Sequence, residues 1–310
     1  MRFFYSLLII FLFCLLIGSS YFLWQEIGLS KINLFGKSFG TGSYDANFSF
    51  PENNESQFYK NMRYKDRTIS YWIEPACEAE KEENVIGAFT ILSEKTILDF
   101  IPIEKNKAEI SILCSEIAPE PEEEGHFIAG EGGPSRIVNM SSFSVILTGR
   151  IALFRDDDCD TPQVALHEIL HALGFNHRRD ESSILYPIAS CKQTLDDSIV
   201  EELNQLYYVN SEPDLLIEQV SANKIGRYLN FNISMANYGL NFIDKASLKI
   251  LSGGEEVKIF DLGNFSIGIS KVFSVSNLEV SRSSDAFSFV IGGDRKELST
   301  ENNRVNLVLR

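Results

Sequence analysis

Three of the four histidines in this 310-residue chain lie within eleven residues, in the segment HEILHALGFNH. His167 and His171 are spaced i and i+4, so an α-helix would place both on one face, where their ring nitrogens can bind one metal ion. His177 can supply a third ligand, because Gly174 allows the chain to turn back after the helix. Three imidazoles leave one position of a zinc ion open for water, as in catalytic zinc sites.

Glu168 follows the first histidine and would be rotated by about 100° from it on the helix. Its carboxylate would therefore lie beside the metal, where it could take a proton from a bound water. Zinc lowers the pKa of such a water towards about 7 and polarises a peptide carbonyl. Two other interpretations are an amphipathic helix with incidental polar residues and a structural zinc site, which would need a fourth protein ligand.

The surrounding sequence predicts the elements that must position these residues. The histidine helix has Asp160 or Thr161 as a capping residue, Pro162 in its first turn and Gly174 at its end. Apolar spacing predicts strands within 68–75, 108–116 and 135–156, and amphipathic helices within 80–97 and 195–209.

The residues from Pro213 to Arg310 have a different pattern. They contain seven alternating apolar runs separated by Gly, Asn and Ser, without a strong helical period. Such a series of short strands predicts an antiparallel β-sandwich. The composition changes after NSEPD, which places the domain boundary near residues 210–213.

The N-terminus predicts export. Residues 1–24 are apolar after Arg2 and long enough to span a bilayer, which needs roughly 20 residues. We favour an uncleaved transmembrane anchor, with a cleaved signal peptide and a buried helix as alternatives. Either export signal leaves the rest of the chain outside the cytoplasm, membrane-anchored or secreted. Residues 25–66 carry Gly, Ser and Asn without a sustained period and are predicted to be a juxtamembrane linker.

The charge balance bears on partners. Lys and Arg number 28 against 43 Asp and Glu, a formal charge of −15. A phosphate backbone would be repelled by this surface, which argues against nucleic acid as a partner. Apolar residues at 44% and charged residues at 23% are typical of a globular protein.

Four cysteines remain outside the apolar segment that holds Cys14: Cys77, Cys114, Cys159 and Cys191. An even number in an exported region favours two disulfides with three possible connectivities, and free buried thiols are the alternative. We favour the sequential pairing, Cys77 with Cys114 and Cys159 with Cys191. The first bridge would staple the first half of the domain, and the second would bracket the histidine segment.

HEILHALGFNH resembles the H-E-x-x-H-x-x-G-x-x-H signature of the metzincin zinc proteases, and its surroundings resemble the matrixin branch. The resemblance covers about residues 67–210 and implies an α+β domain, a twisted mixed sheet with helices. It also implies that the three histidines bind one catalytic Zn²⁺ and that Glu168 is the general base and acid. The substrate would be a peptide or protein.

In that family the substrate pairs with an edge strand above the zinc cleft. GEGGPSRIVN, residues 130–139, is our candidate for this rim, and Pro187–Ala189 would line the pocket for the residue after the scissile bond. Many matrixins silence the zinc with a propeptide cysteine, but residues 25–76 contain none.

The family also places a Met-Tyr-Pro turn below the metal. This chain has SSILYP there, so Leu185, Tyr186 and Pro187 are the equivalents of that turn. Leu185 departs from the family pattern. Leucine for methionine nearly conserves volume, and we expect a cost below about 1.5 kcal/mol.

Three C-terminal stretches resemble the CARDB type of immunoglobulin-like domain: PDLLIEQV, NFNISMANYG with Asn237 and Gly239, and ELSTENNRVNLVLR. The resemblance covers residues 213–310 and implies an all-β immunoglobulin-like sandwich for binding or spacing, without catalytic residues. A surface protein or glycan would be its ligand. An unrelated sandwich is the alternative.

Two acidic stretches, EPEEE at 120–124 and DDDCD at 156–160, could bind Ca²⁺, for which clustered carboxylates are suited. We favour solvated loops, because neither stretch has the ligand spacing of a known calcium loop. His126, the remaining histidine, is predicted to lie in a polar surface loop.

These features predict a zinc endopeptidase that acts outside the cytoplasm. The rival hypothesis is a surface adhesion protein whose zinc domain is catalytically silent and whose sandwich does the binding. Glu168 favours the protease, because a silent relative has no chemical need for that carboxylate. Leu185 is the one feature that favours the rival.

Overall fold

The computed structural model describes residues 56–119, 128–155 and 159–309. They form a mixed α/β domain followed by an all-β region. The two disulfides join Cys77 to Cys114 and Cys159 to Cys191, which is the sequential pairing predicted from the sequence. Within the described ranges no helix is long and apolar enough to cross a membrane, and the predicted anchor, residues 1–24, lies outside them.

In its described residues the first domain places three helices against one sheet. Its elements in chain order are β1 (Met62–Tyr64), β2 (Thr68–Ile73), α1 (Ala79–Lys95), β3 (Asp99–Pro102), β4 (Ile110–Cys114), β5 (Gly130–Asn139), β6 (Ser144–Leu153), α2 (Gln163–Ala172) and α3 (Asp197–Tyr208). Strand β6 pairs in parallel with β1 and β4, and β4 is followed by β2 and β3, also in parallel. Strand β5 alone runs antiparallel, along the whole of β6.

The predicted linker, residues 25–66, ends too late in the sequence. Gln57 already forms a bridge with Phe175, and β1 joins the sheet through β6. Met62 and Tyr64 are fully buried in the same core as the helices. This strand has only three residues and polar neighbours, so its sequence shows no hydrophobic period. The burial of its residues is seen only in the folded chain.

Helix α2 is the centre of the domain, because every residue from 163 to 172 is buried. Pro162 is its N-terminal flanking residue, and no side chain caps the helix, so the predicted capping by Asp160 or Thr161 is wrong. Thr161 Oγ1 instead accepts a hydrogen bond from the Gln163 side chain at 2.8 Å. At the other end Gly174 adopts φ +98°, the left-handed conformation predicted for it.

The all-β region consists of seven strands, as the alternating runs predict. They are β7 (Leu215–Ile225), β8 (Tyr228–Asn237), β9 (Ile243–Ser252), β10 (Glu255–Phe265), β11 (Ser270–Glu279), β12 (Ala286–Gly293) and β13 (Arg304–Val308). One sheet has the order β10-β9-β12-β13 and the other β11-β8-β7, and all pairings are antiparallel. Buried residues from both sheets form a second core, separate from that of the first domain.

Asn237 fixes the point where the chain enters this second core. Its side chain is fully buried; Oδ1 accepts hydrogen bonds from the N–H groups of Asp214 at 3.0 Å and Gly239 at 3.1 Å, while Nδ2 donates to the carbonyl of Asn241 at 2.7 Å. A side chain at Gly239 would overlap the backbone of Pro213 and Asp214. The Asn and Gly of the NFNISMANYG stretch therefore have a structural function.

Candidate metal centre

The three histidines converge on one point. Nε2 of His171 lies 2.9 Å from Nε2 of His167 and 3.1 Å from that of His177, and the remaining pair is 3.3 Å apart. A tetrahedral zinc ion with bonds of about 2.1 Å would separate its ligands by about 3.4 Å. The nitrogens therefore need to move apart by about half an ångström or less to hold such an ion.

Hydrogen bonds from the outer ring nitrogens orient two of these histidines. Nδ1 of His167 donates to the carbonyl of Ile184 at 2.6 Å, and Nδ1 of His171 donates to the carbonyl of Phe175 at 2.8 Å. A carbonyl accepts only from a protonated Nδ1, so both neutral rings present the lone pair of Nε2 to the centre. Backbone partners of this kind fix the tautomer of metal-binding histidines.

The surroundings keep the rings neutral. Burial lowers the pKa of His167 to about 4 and that of His177 to about 3, with a smaller contribution to the latter from His167. Burial, and then the other two rings, lower the pKa of His171 well below its ordinary value. Neutral imidazoles are the form that binds a metal, so this donor set fits zinc at physiological pH.

Glu168 lies on the same helix, next to the edge of the sheet. It is 3% exposed, and a Cβ built on Gly130 would lie 2.7 Å from its Cγ and 3.0 Å from its Oε1. Burial raises the pKa of Glu168 to about 8, and Glu131 adds to the shift. A nearby cation favours the ionised form of a carboxylate, so a metal held by the histidines would reverse part of this shift.

Strand β5 lies beside Glu168, and its bounds are those of the stretch selected as the rim of the cleft. Among the described strands it pairs only with β6, which leaves its outer edge unpaired. Pro134 within β5 agrees with an edge position, because proline cannot donate to a ladder on both sides. The N–H and C=O groups of this edge can pair with an extended peptide.

The turn after His177 contacts the cluster through the carbonyl of Ile184, which accepts from Nδ1 of His167. Leu185 is fully buried, its carbonyl accepts from Arg178 N at 2.9 Å, and Tyr186 N donates to the Ser183 carbonyl at 3.0 Å. Tyr186 and Pro187 are half-buried. Leu185 therefore belongs to the core of the first domain.

Two buried glutamines, which sequence analysis missed, connect the histidine helix to the loop after this turn. Gln163 Nε2, in the first turn of α2, donates to the carbonyl of Gln193 at 3.0 Å. Gln193 Nε2 donates to the carbonyl of Ile188 at 2.8 Å, and its Oε1 accepts from Ser190 N at 3.0 Å. The Cys159–Cys191 disulfide joins the same two segments. Glutamines at these spacings carry no sequence signal.

Gly130 and Gly132 lie in the stretch selected as the rim of the cleft, but the sequence did not connect them with Glu168. A side chain at Gly132 would overlap the backbone of Glu168, so both glycines are needed for the helix to approach β5. Three glycines in GEGG, inside a strand, are a signal for close backbone approach. Most of the acidic stretches considered for Ca²⁺, residues 120–124 and 156–158, and also His126, lie outside the described residues.

Comparison with solved structures finds CARDB domains similar to the C-terminal part of the chain. The crystal structure of a CARDB domain from Pyrococcus furiosus, in complex with di-metal ions, is 13% identical, with a TM-score of 0.28 over 32% of this chain and 92% of that chain. A solution NMR structure of a CARDB domain from Pyrococcus furiosus is 14% identical, with a TM-score of 0.28 over 32% and 94%. None of the curated proteins matches the chain.

Comparison with protein families matches residues 63–208 to the matrixin family. The matched range contains the three histidines, Glu168, the free edge strand and the turn at Leu185. Residues 63–208 therefore match the matrixin family of metallopeptidases, and the resemblance seen in the histidine segment is confirmed.

Proposed function

We propose that this chain is an active zinc endopeptidase in which Glu168 is the general base and acid. The observation that carries the proposal is the convergence of three Nε2 atoms within 3.3 Å of one another. Two of them belong to α2, the helix whose buried Glu168 lies beside an unpaired strand edge. Ligands, base and a place for a peptide are thus adjacent.

His167, His171 and His177 would hold the zinc through Nε2. The ion, when bound, supplies Lewis acidity for a peptide carbonyl and lowers the pKa of a water. Glu168 takes a proton from the attacking water and passes it to the nitrogen of the leaving amine. The glycines of β5 leave the space in which this carboxylate can lie and turn towards the substrate.

The unpaired edge of β5 positions the substrate in this proposal. An extended peptide can add to the edge as a further strand, with main-chain hydrogen bonds that do not depend on its side chains. The loop Tyr186–Gln193 is held to the start of the histidine helix by the two glutamines and the Cys159–Cys191 disulfide. Side-chain selection would come from this loop.

The proposal includes action outside the cytoplasm, from a membrane anchor or after secretion. Two disulfides in the described residues support it, because such bonds persist in oxidising compartments and are rare in the cytosol. The apolar N-terminal sequence supports it independently. The sandwich would then be a binding or spacing module of the CARDB immunoglobulin-like type, for a surface protein or glycan.

The test compares the full chain with Glu168→Gln. Metal content is measured by mass spectrometry, and cleavage is measured on unfolded casein. We expect one zinc per chain in both proteins and a loss of activity of about 10²-fold or more in the variant, the usual contribution of a general base. Glu297→Gln is the matched control, because Glu297 is a half-buried carboxyl of the all-β region whose pKa is likewise raised by burial.

Three outcomes would contradict parts of this function. A chain that binds no zinc would refute the metal assignment. Zinc binding without cleavage of casein or broad peptide libraries would favour the silent adhesion protein. Equal activity in Glu168→Gln and the parent would refute the role of Glu168 while leaving the protease class intact.

A further inference from the structure

We infer that Ser56–Phe58, here called the strap, is a positioning element of the zinc site. The strap precedes the first strand and lies more than a hundred residues away in sequence from the ligands. It pairs with Gly174–Asn176, the turn between the second and third histidines. The inference rests on the proposed function, since it concerns how that zinc site is held.

Main-chain hydrogen bonds join the strap to the turn on both sides of Phe175. Phe58 N donates to the carbonyl of Gly174 at 2.9 Å, and Asn176 N donates to the carbonyl of Ser56 at 2.9 Å. Gln57 and Phe175 form the bridge between them. The turn that delivers the third ligand is therefore held like a strand, although it belongs to no sheet.

The paired turn also orients the second ligand. Phe175 supplies the carbonyl that accepts from Nδ1 of His171 at 2.8 Å, so the residue bridged by Gln57 is the one that fixes this ring. The ring of Phe58 lies 5.9 Å from that of His171, tilted by 31°. A shift of the strap would displace His171 and His177 together.

Gln57 anchors the strap to the start of β1. Its side chain is 6% exposed, Nε2 donates to the carbonyl of Met62 at 2.7 Å, and Oε1 accepts from Met62 N at 3.0 Å. The side chain of Met62 packs directly on Gly174, where a Cβ would lie 2.6 Å from Met62 Cγ. One glutamine thus connects both elements that hold the ligand turn.

The other end of the strap contacts the polar residues that follow His177. Ser56 Oγ donates to Glu202 Oε1 at 2.5 Å, and the other oxygen of Glu202 lies 4.0 Å from an Arg178 nitrogen. Arg178 directly follows the third ligand. A backbone cut after Phe58 would separate all these bonds from β1, whereas a cut before Ser56 would leave them in place.

The experiment measures zinc affinity of the full chain by competition with a chromogenic chelator. We expect Gln57→Ala to bind zinc about 10- to 100-fold more weakly than the parent, the usual effect of losing support behind metal ligands. Asn303→Ala is the matched control, because it removes an equally buried amide, 5% exposed, from the all-β region. We expect it to keep the parent affinity.

A second readout separates ligand geometry from general stability. The visible absorption of the Co²⁺-loaded chain reports the arrangement of the three nitrogens, and we expect Gln57→Ala to change it and Asn303→Ala to leave it unchanged. Phe58→Pro removes the N–H that bonds to Gly174, and Phe58→Ala keeps it. We expect the proline variant to bind zinc more weakly than the alanine variant, because only the proline variant loses the backbone hydrogen bond to Gly174.

Parent-like zinc affinity and Co²⁺ spectra in Gln57→Ala would overturn the inference. Equal losses in Gln57→Ala and Asn303→Ala would do the same, since they would reflect stability alone. A parent chain that binds no zinc would instead refute the proposed function. A parent that binds zinc without cutting peptides would refute only the activity, because affinity and spectrum are measured without turnover.

Discussion

Gly130 and Glu168 are in contact at the free edge of the sheet. A Cβ on Gly130 would lie 2.7 Å from Cγ of Glu168, whereas ordinary carbon contacts are about 3.5 to 4.0 Å. The carboxylate can occupy its place only because residue 130 has no side chain. The position of the proposed base is therefore set by β5 as well as by its own helix.

We expect Gly130→Ala to lower kcat/KM for peptide cleavage by at least about tenfold, because the methyl group must displace a carboxylate whose proton transfer contributes about 10² to 10⁴. Zinc content should stay at the parent level, since no histidine is among the nearest atoms to a Cβ at this position. Activity assays with metal analysis measure both quantities.

Gly292→Ala is the control for that experiment. Gly292 also lies in a strand, β12, but a Cβ there would meet nothing within 4 Å. We expect parent activity from this variant. Equal activity in Gly130→Ala and the parent would show that the carboxylate does not need the space that the glycine leaves.

Leu185 allows a test of the buried position at which the family resemblance places a methionine. It is fully buried and its carbonyl accepts from Arg178 N. We expect Leu185→Met to change the free energy of unfolding by less than about 1.5 kcal/mol and to keep zinc binding, because the substitution nearly conserves volume. Leu185→Ala should cost about 2 to 5 kcal/mol through the cavity it leaves.

Urea unfolding of the zinc-loaded proteins measures these differences, and peptide cleavage is followed in parallel. If Leu185→Met raised activity by an order of magnitude or more, leucine would be a functional defect, and the silent adhesion protein would gain support. Activity within a few-fold of the parent is the expected result.

The parts of this structure that sequence predicts are those with a local signal. His167 and His171 share a helix face by their spacing, and the seven strands of the sandwich show their alternation directly. The strap shows neither signal. Its partners are Gly174–Asn176, so its function arises from a pairing between distant segments, and its own residues have no hydrophobic period.

The same reasoning explains why the sequence did not reveal the roles of the glycines of β5 and of the two buried glutamines. GEGG indicates close backbone approach, but only the fold shows that Glu168 is the residue approached. Gln193 makes its bonds within a loop and to Gln163, and nothing in its neighbours distinguishes it from an exposed glutamine. Polar residues that support a site from within the core are identified by burial, which a single sequence does not show directly.

The burial of Tyr207 leads us to expect that the stability of the first domain depends on pH. It is fully buried, and its hydroxyl oxygen accepts a hydrogen bond from Tyr64 N at 2.8 Å. Burial raises the pKa of Tyr207 above its ordinary value, which the nearby Arg63 only partly offsets. The pKa of Tyr64 is also raised, again mainly by burial. Both phenols therefore stay protonated in the folded chain at a pH where the unfolded chain ionises.

The unfolded chain loses these protons from about pH 10 upward, so the stabilisation is complete below that pH and decreases above it. We expect the free energy of unfolding to fall by up to about 1.4 kcal/mol per pH unit for each of the two tyrosines. Tyr207→Phe should remove the contribution of one tyrosine to this slope, up to about 1.4 kcal/mol per pH unit. At neutral pH the variant should lose about 1 to 3 kcal/mol of unfolding free energy, because Tyr64 N loses its acceptor.

Urea unfolding from about pH 8 to about pH 11, followed by the fluorescence of Trp72 in β2, measures this slope. Tyr208→Phe is the matched control, since the neighbouring Tyr208 is 80% exposed, and we expect it to keep the parent slope and stability. If Tyr207→Phe kept the pH dependence of the parent, the loss of stability at alkaline pH would come from the ionisation of another group. A parent stability at neutral pH would mean that Tyr64 N finds another acceptor, such as a water admitted by the missing hydroxyl.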